Sequence, residues 1–218
     1  MFTRIMQDLP VYLLRLPCIL LALTVHETAH GWVAHKMGDD TARNFGRLTL
    51  NPLKHIDPIG ALCMIFFGIG WAKPVPVNAR NFRNPRKGMA LTALAGPVSN
   101  LLLAFLGILM ERIWLVAVYS RFNNNFTYVV WLFLTLFYML NLSLAVFNMI
   151  PIPPFDGSRI LFIFLPDKLY FGIMKYERII MLVLLVLLWT GVLSIPITYV
   201  VNLLARLMFW IVGWLPFL

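Results

Sequence analysis

Four stretches of this chain are apolar almost throughout: Val11–Ala34, Met89–Tyr119, Tyr128–Ile150 and Ile179–Leu193. The apolar run resumes at Ile195–Leu218. A helix that crosses the hydrocarbon core of a bilayer needs about 20 such residues, so runs of this length specify membrane spans before any other feature is weighed. Composition agrees. Only 12% of the 218 residues are charged and 61% are hydrophobic, against roughly 25% charged in soluble domains. That leaves too little polar surface to dissolve a globule of this size. A very apolar soluble subunit buried in an assembly is the competing reading, and the span lengths argue against it.

The expected fold class is an all-α polytopic integral membrane protein with about five transmembrane helices. Ile179–Leu193 is short, and Ser194 and Pro196 mark a tight turn into the fifth span. One kinked segment over 178–218 fits the same residues, because proline can bend a membrane helix without ending it. Between the first two spans, Met37–Lys87 is rich in Gly, Pro, Asn and Arg. Its apolar patch, Ile59–Trp71, is too short to cross. It is expected to form a re-entrant or interfacial segment, with short extended strands around Phe45–Leu50 and Val75–Asn78 as a β-ribbon. A single membrane-embedded domain, 1–218, is expected, with a core over 11–160 and a C-terminal helical hairpin over 178–218. No internal repeat is evident.

The net charge of +9 is not a nucleic-acid signal here, since the basic residues fall between apolar spans. Lys36, Arg43, Arg47, Lys54, Lys73, Arg80, Arg83, Arg86 and Lys87 crowd the first connection, whereas Ser120–Thr127 holds only Arg121 and the N-terminal tail only Arg4. Positive charge favours the cytoplasmic side. This predicts an extracytoplasmic N-terminus in the cell membrane and a cytoplasmic first connection. Gly157–Arg178, with Arg159, Lys168, Lys175 and Arg178, falls on that same side. The first apolar segment is expected to be a retained span rather than a cleaved signal. Cys18 and Cys63 make no disulfide framework.

The chemistry lies in His26-Glu-Thr-Ala-His30. Four residues advance a helix by about 400°, so the two imidazoles leave one face a turn apart, spaced to chelate one ion. Glu27 stands beside them as a base for a metal-bound water, the logic of H-E-x-x-H zinc hydrolases. A titratable group at bilayer depth costs about 3 kcal/mol or more on insertion scales, so three within a turn and a half point to function rather than packing. A catalytic zinc takes three protein ligands and keeps one position open. Asp8, Asp39, Asp40, Asp57, Asp167 and Glu177 lie in polar connections, and Glu111 has Arg112 beside it for a local ion pair. Asp156 differs. It ends the run Asn148-Met-Ile-Pro-Ile-Pro-Pro-Phe-Asp156, whose prolines forbid helix and leave carbonyls unpaired. By itself Asp156 suits a helix cap as well as a ligand; a two-histidine half-site that needs a partner favours the ligand. Both half-sites arrive at the cytoplasmic face.

Four motifs in order resemble the site-2 proteases, zinc metalloproteases that cut within membranes. They are His26–His30, Gly70-Trp-Ala-Lys-Pro-Val-Pro-Val-Asn78, Gly96-Pro-Val-Ser-Asn100 and Asn148–Gly157, spanning about two-thirds of the chain. The resemblance implies a three-span core, one Zn2+ held by His26, His30 and Asp156, Glu27 as base, and Asn148 holding substrate or transition state. Neither the PDZ nor the CBS domain that such proteins often carry is read here, so the chain looks like a minimal form. Gly96, Pro97 and Asn100 suit a close helix contact, with Asn100 ordering the cavity. Trp71, Lys73, Pro74, Val75, Pro76, Val77 and Asn78 suit an edge for a substrate strand, or equally an interfacial anchor through Trp71 and Lys73. His35 and His55 are expected at the interface. The implied partners are a transmembrane-helix substrate and the lipid bilayer, with no nucleic acid. A metal transporter and a catalytically idle helix-binding relative are the competing functions.

Overall fold

Long apolar runs become long helices because, in lipid, a helix satisfies its own backbone. The structure, a computed structural model, describes residues 2–57, 59–60, 72–122 and 124–213. The first helix, α1 (Phe2–Lys36), contains Pro10 and Pro17. A single helical turn, α2 (Thr41–Asn44), follows. The next long helix, α3 (Pro85–Trp114), starts on Asn84, whose side chain accepts from the Lys87 amide, and has Pro85 in its first turn. It continues through one π-type turn, Leu115–Tyr119. Helix α4 (Asn125–Asn148) begins with a reciprocal cap between Asn124 and Thr127, which satisfies two otherwise orphaned amides.

Beyond α4 the Pro151–Phe155 run carries a cis Pro153–Pro154 peptide. Short helices α5 (Asp156–Leu161) and α6 (Asp167–Met174) come next. The chain then forms α7 (Glu177–Trp189) and α8 (Ser194–Gly213). Two helices therefore occupy the described part of 178–218, parted by a turn in which Gly191 has φ +77°. Among the described residues, four helices have the length and hydropathy to cross a membrane, over Pro10–Lys36, Pro85–Tyr119, Asn125–Asn148 and Ser194–Gly213. Helix α7 has only 13 residues, about 20 Å at 1.5 Å per residue, which is short of the core of a bilayer.

Helices in lipid associate through close packing and buried polar contacts rather than hydrophobic exclusion. The buried faces set small residues among larger ones. Ala104, Ile108, Tyr138 and Leu142 from α3 and α4 pack with Val201, Ala205 and Val212 of α8. A Cβ added at Gly107 would lie 3.0 Å from Tyr138 Cβ, so α3 and α4 touch closely there. Helix α1 packs against both through Cys18, a free buried thiol, and Ala22. Cys63 lies outside the described residues.

Two sequence expectations change. Glu111 does not pair with Arg112 among the described residues: it is buried and accepts a 2.6 Å hydrogen bond from Thr135 Oγ1. Across the interhelical seam a hydroxyl reaches it without bringing in a second charge. Nor do Phe45–Leu50 and Val75–Asn78 form strands. The pairing present is one isolated antiparallel bridge between Ile56 and Ala72, with Lys73 N donating to His55 O at 2.9 Å. Pro74 and Pro76 have no N–H to give a ladder, and side chains take the neighbouring groups. Ile59 and Gly60 start a helical turn on Asp57; the rest of the expected re-entrant patch, through Trp71, lies outside the described residues.

Candidate metal centre

The His26/His30 half-site forms because α1 is helical through both residues. The two rings stand edge-on, centroids 4.5 Å apart, with their Nε2 atoms separated by 3.0 Å. Asp156, the first residue of α5, sets Oδ2 at 3.2 Å from His26 Nε2 and 3.3 Å from His30 Nε2. Asp156 does not act as the helix cap: Phe155 holds the N-cap position, and the Asp156 carboxylate faces the two histidines instead. All three groups are shielded, the two histidines at 5% and 8% exposure.

Three potential ligand atoms converge here within the reach of one ion, an arrangement suited to a cation. With bonds near 2.0–2.1 Å and tetrahedral angles, zinc ligand atoms lie about 3.3 Å apart. The observed 3.0–3.3 Å edges match that triangle. Asp156 Oδ2 is also buried without a hydrogen-bond partner of its own, and this trio is the one group of potential ligands found among the described residues. The donor set fits zinc. Burial opposes charge on Asp156, but the adjoining His26 and His30 outweigh it and hold the carboxyl well below the ordinary range.

The surroundings orient each ligand. His30 Nδ1 lies 2.6 Å from Thr92 O and His26 Nδ1 lies 2.5 Å from Asn100 Oδ1, the outer contacts that direct Nε2 to a metal. Gly96 lies directly against the rings: a Cβ there would sit 2.6 Å from His26 Nε2 and 2.5 Å from its Cε1. Pro97, which cannot donate to Ala93 O, follows within the same helix. The Gly96-Pro97-x-x-Asn100 motif therefore builds the wall of the metal centre, a more direct role than helix contact. Gly157 does the equivalent for Asp156: its Cβ would lie 2.6 Å from Ile150 O, so α5 starts hard against the end of α4.

The 73–78 segment crosses this site as a pinned strap. Val75 N donates to Glu27 Oε2 at 2.9 Å. Arg47, itself buried, donates to Lys73 O at 2.6 Å and Pro74 O at 3.3 Å. Asp39 accepts from Asn78 N at 2.7 Å and from Asn81 Nδ2 at 2.7 Å. Burial raises the Asp39 carboxyl, yet its bonds from Thr41, Asn78 and Asn81 prevail and its pKa is lowered. Trp71 lies outside the described residues. Asn148, the last residue of α4, turns its amide to Leu144 O at 3.0 Å rather than toward the triad. His35 pairs with Asp40. His55 is fully buried in the first connection, 2.8 Å from Thr49 O.

Sequence reasoning missed Arg47, Asp39 and Thr92 around the site. Two are side chains whose role depends on a partner far along the chain, and Thr92 acts through a carbonyl, which has no residue signature.

The model of Peptidase family M50 matches residues 113–191, which include all of α4 and Asp156. Three relatives each bear the name "Putative zinc metalloprotease". YwhC of Bacillus subtilis is 46% identical over 66% of this chain and 65% of its own length. Rip2 of Mycolicibacterium smegmatis is 28% identical over 67% of this chain and 55% of its own. MJ0611 of Methanocaldococcus jannaschii is 30% identical over 69% of this chain and 70% of its own. The chain thus spans under two thirds of the first two relatives, 65% and 55%. No solved structure matches. From the matched family and the 30% identity over 70% of the archaeal relative, this chain belongs to peptidase family M50, the site-2 protease family.

Proposed function

We propose that this chain is an intramembrane zinc metallopeptidase that hydrolyses a peptide bond in or near the transmembrane segment of a membrane-protein substrate. The observation that carries the reading is the closed triangle of His26, His30 and Asp156 ligand atoms beside an acid held by the backbone of a strap. When bound there, zinc supplies Lewis-acid polarisation and a more acidic water.

The chain's own residues do the rest. His26, His30 and Asp156 hold the ion. Glu27 accepts a proton from the attacking water and returns it to the leaving amine. With Oε2 engaged by Val75 N–H, Oε1 is the oxygen left for that proton. The substrate segment must unwind before cleavage, since a helix hides its carbonyls in hydrogen bonds. Backbone groups of the strap without a partner among the described residues, chiefly Val75 O and the N–H and C=O of Val77, pair with the unwound substrate, while Pro74 and Pro76 limit how many donors it offers. Asn148 swings from Leu144 O to hold the substrate or transition state. The basic first connection sets the site in the cytoplasmic half of the cell membrane with the N-terminus outside.

The test is Glu27→Gln, which keeps the ligands and removes the base. Purified zinc-loaded Glu27→Gln protein should lose at least about 100-fold in cleavage rate of a reconstituted membrane substrate, in the range ordinary for a general base. Cleavage at the parental rate would refute the assignment.

A further inference from the structure

A run of hydrogen bonds crosses three helices to reach the metal centre, and its ends determine where every proton lies. Phe137 O is a backbone carbonyl and can only accept. The Asn141 amide atom 2.8 Å from it is therefore Nδ2, which turns Asn141 Oδ1 toward Asn100, 2.8 Å away. The Asn100 atom facing that oxygen also faces Ala22 O at 3.3 Å. Two acceptors admit only a donor, so this atom is Asn100 Nδ2. Asn100 Oδ1 then faces His26 Nδ1 at 2.5 Å, and His26 Nδ1 must carry the proton. A neutral imidazole has one N–H. Its Nε2 is thus left with a bare lone pair, directed at Asp156 and His30.

Asn100 and Asn141 have no solvent exposure, and at this depth an unpaired amide is costly. The order therefore holds as a unit. His30 needs no such relay, because Thr92 O, again a pure acceptor, meets its Nδ1 directly.

We propose that Asn141 is a positioning residue for the metal centre: acting through Asn100, it locks His26 in the Nδ1–H form that binds metal through Nε2. This rests on His26 being a zinc ligand. Asn141 lies on α4, makes no hydrogen bond to the ligands or Glu27 among the described residues, and still sets the affinity of the site.

The full chain, purified in detergent with 15N-labelled histidine, tests this by two measurements that need no peptidase activity. The first is the tautomer of His26 in metal-free protein at mildly alkaline pH, from two-bond 15N–1H correlations. The second is zinc affinity by chelator competition. Wild type should show His26 with Nδ1–H. Asn141→Leu should lose that single form and about 10-fold or more in zinc affinity, the ordinary range for an outer-shell partner, while His30 keeps its Nδ1–H pattern. Asn141→Asp, protonated at this depth, donates to Phe137 O and accepts from Asn100, and should restore both readouts. Nε2–H on wild-type His26 overturns the proposal whatever the variants do. So does an Asn141→Leu protein that binds zinc within threefold of wild type. Absence of zinc binding by the wild type would instead remove the metal reading itself.

Discussion

Gly96 gives the most exposed prediction, because Gly96→Ala sets helix propensity against the metal centre. Position 96 is inside α3, where alanine is favoured over glycine by about 1 kcal/mol. Nothing about the helix itself should suffer. The new Cβ, however, would meet His26 Cε1 at 2.5 Å and Nε2 at 2.6 Å, where ordinary contact begins at 3.4 Å. The ring must retreat by about 0.9 Å, from 2.5 to 3.4 Å, and zinc–nitrogen bonds tolerate only about 0.2 Å. Overpacking of this kind costs about 1–3 kcal/mol, partly offset by the propensity gain. The metal-free protein should therefore lose no more than about 2 kcal/mol. Zinc affinity should fall about 100-fold or more, as for a reacting group displaced by about 1 Å. Chelator competition measures the affinity, and thermal unfolding in detergent with and without zinc measures the stability. Gly172→Ala is the control, since its Cβ would meet nothing within 4 Å; zinc binding should not change. If Gly96→Ala binds zinc within threefold of the parent, the packing of Gly96 on the ligand rings is wrong.

Gly157→Ala should act from the other side of the triangle. Its Cβ meets the backbone carbonyls of Met149 and Ile150, which cannot rotate away, so α5 must shift and carry Asp156 with it. A loss of zinc affinity of about 10-fold or more is expected, and parental affinity would rule out this anchoring. Asp39→Asn should loosen the strap that holds Glu27, at a cost of about 1–3 kcal/mol near neutral pH for the lost charged hydrogen bonds. Because the folded pKa of Asp39 is lowered, its contribution is complete above the unfolded value near 4 and fades as pH falls through the folded one. The stability gap between parent and Asp39→Asn should therefore close on acidification below about pH 4; a gap independent of pH there would contradict it. The same variant should reduce kcat more than zinc affinity, as Asp39 reaches the base through Asn78 and Val75 rather than the ligands.

Much of this protein is legible locally. Val11–Ala34, Met89–Tyr119 and Tyr128–Ile150 declare themselves as helices because a bilayer admits few alternatives for runs of that length. Helices α3 and α4 depart from these bounds by five residues or fewer at each end, whereas α1 starts nine residues earlier, at Phe2. His26 and His30 are a pair by helical periodicity alone. Phe45–Leu50 and Val75–Asn78 have extended-strand patterns but form no strands. An extended segment with two prolines has no ladder to join unless partners exist, and its partners here are Glu27, Arg47 and Asp39 side chains.

By itself, then, the sequence determined the membrane spans, the two-histidine half-site with its neighbouring acid, and the family to which the chain belongs. Each of these rests on spacing within one segment or on motifs read in order. Only the tertiary structure decided that Asp156 Oδ2 closes the triangle, that Gly96 leaves room for the rings, and that Asn100 lies between His26 and Asn141. Those facts depend on the distance between helices far apart in the chain. Helix packing sets that distance, and no local periodicity encodes it.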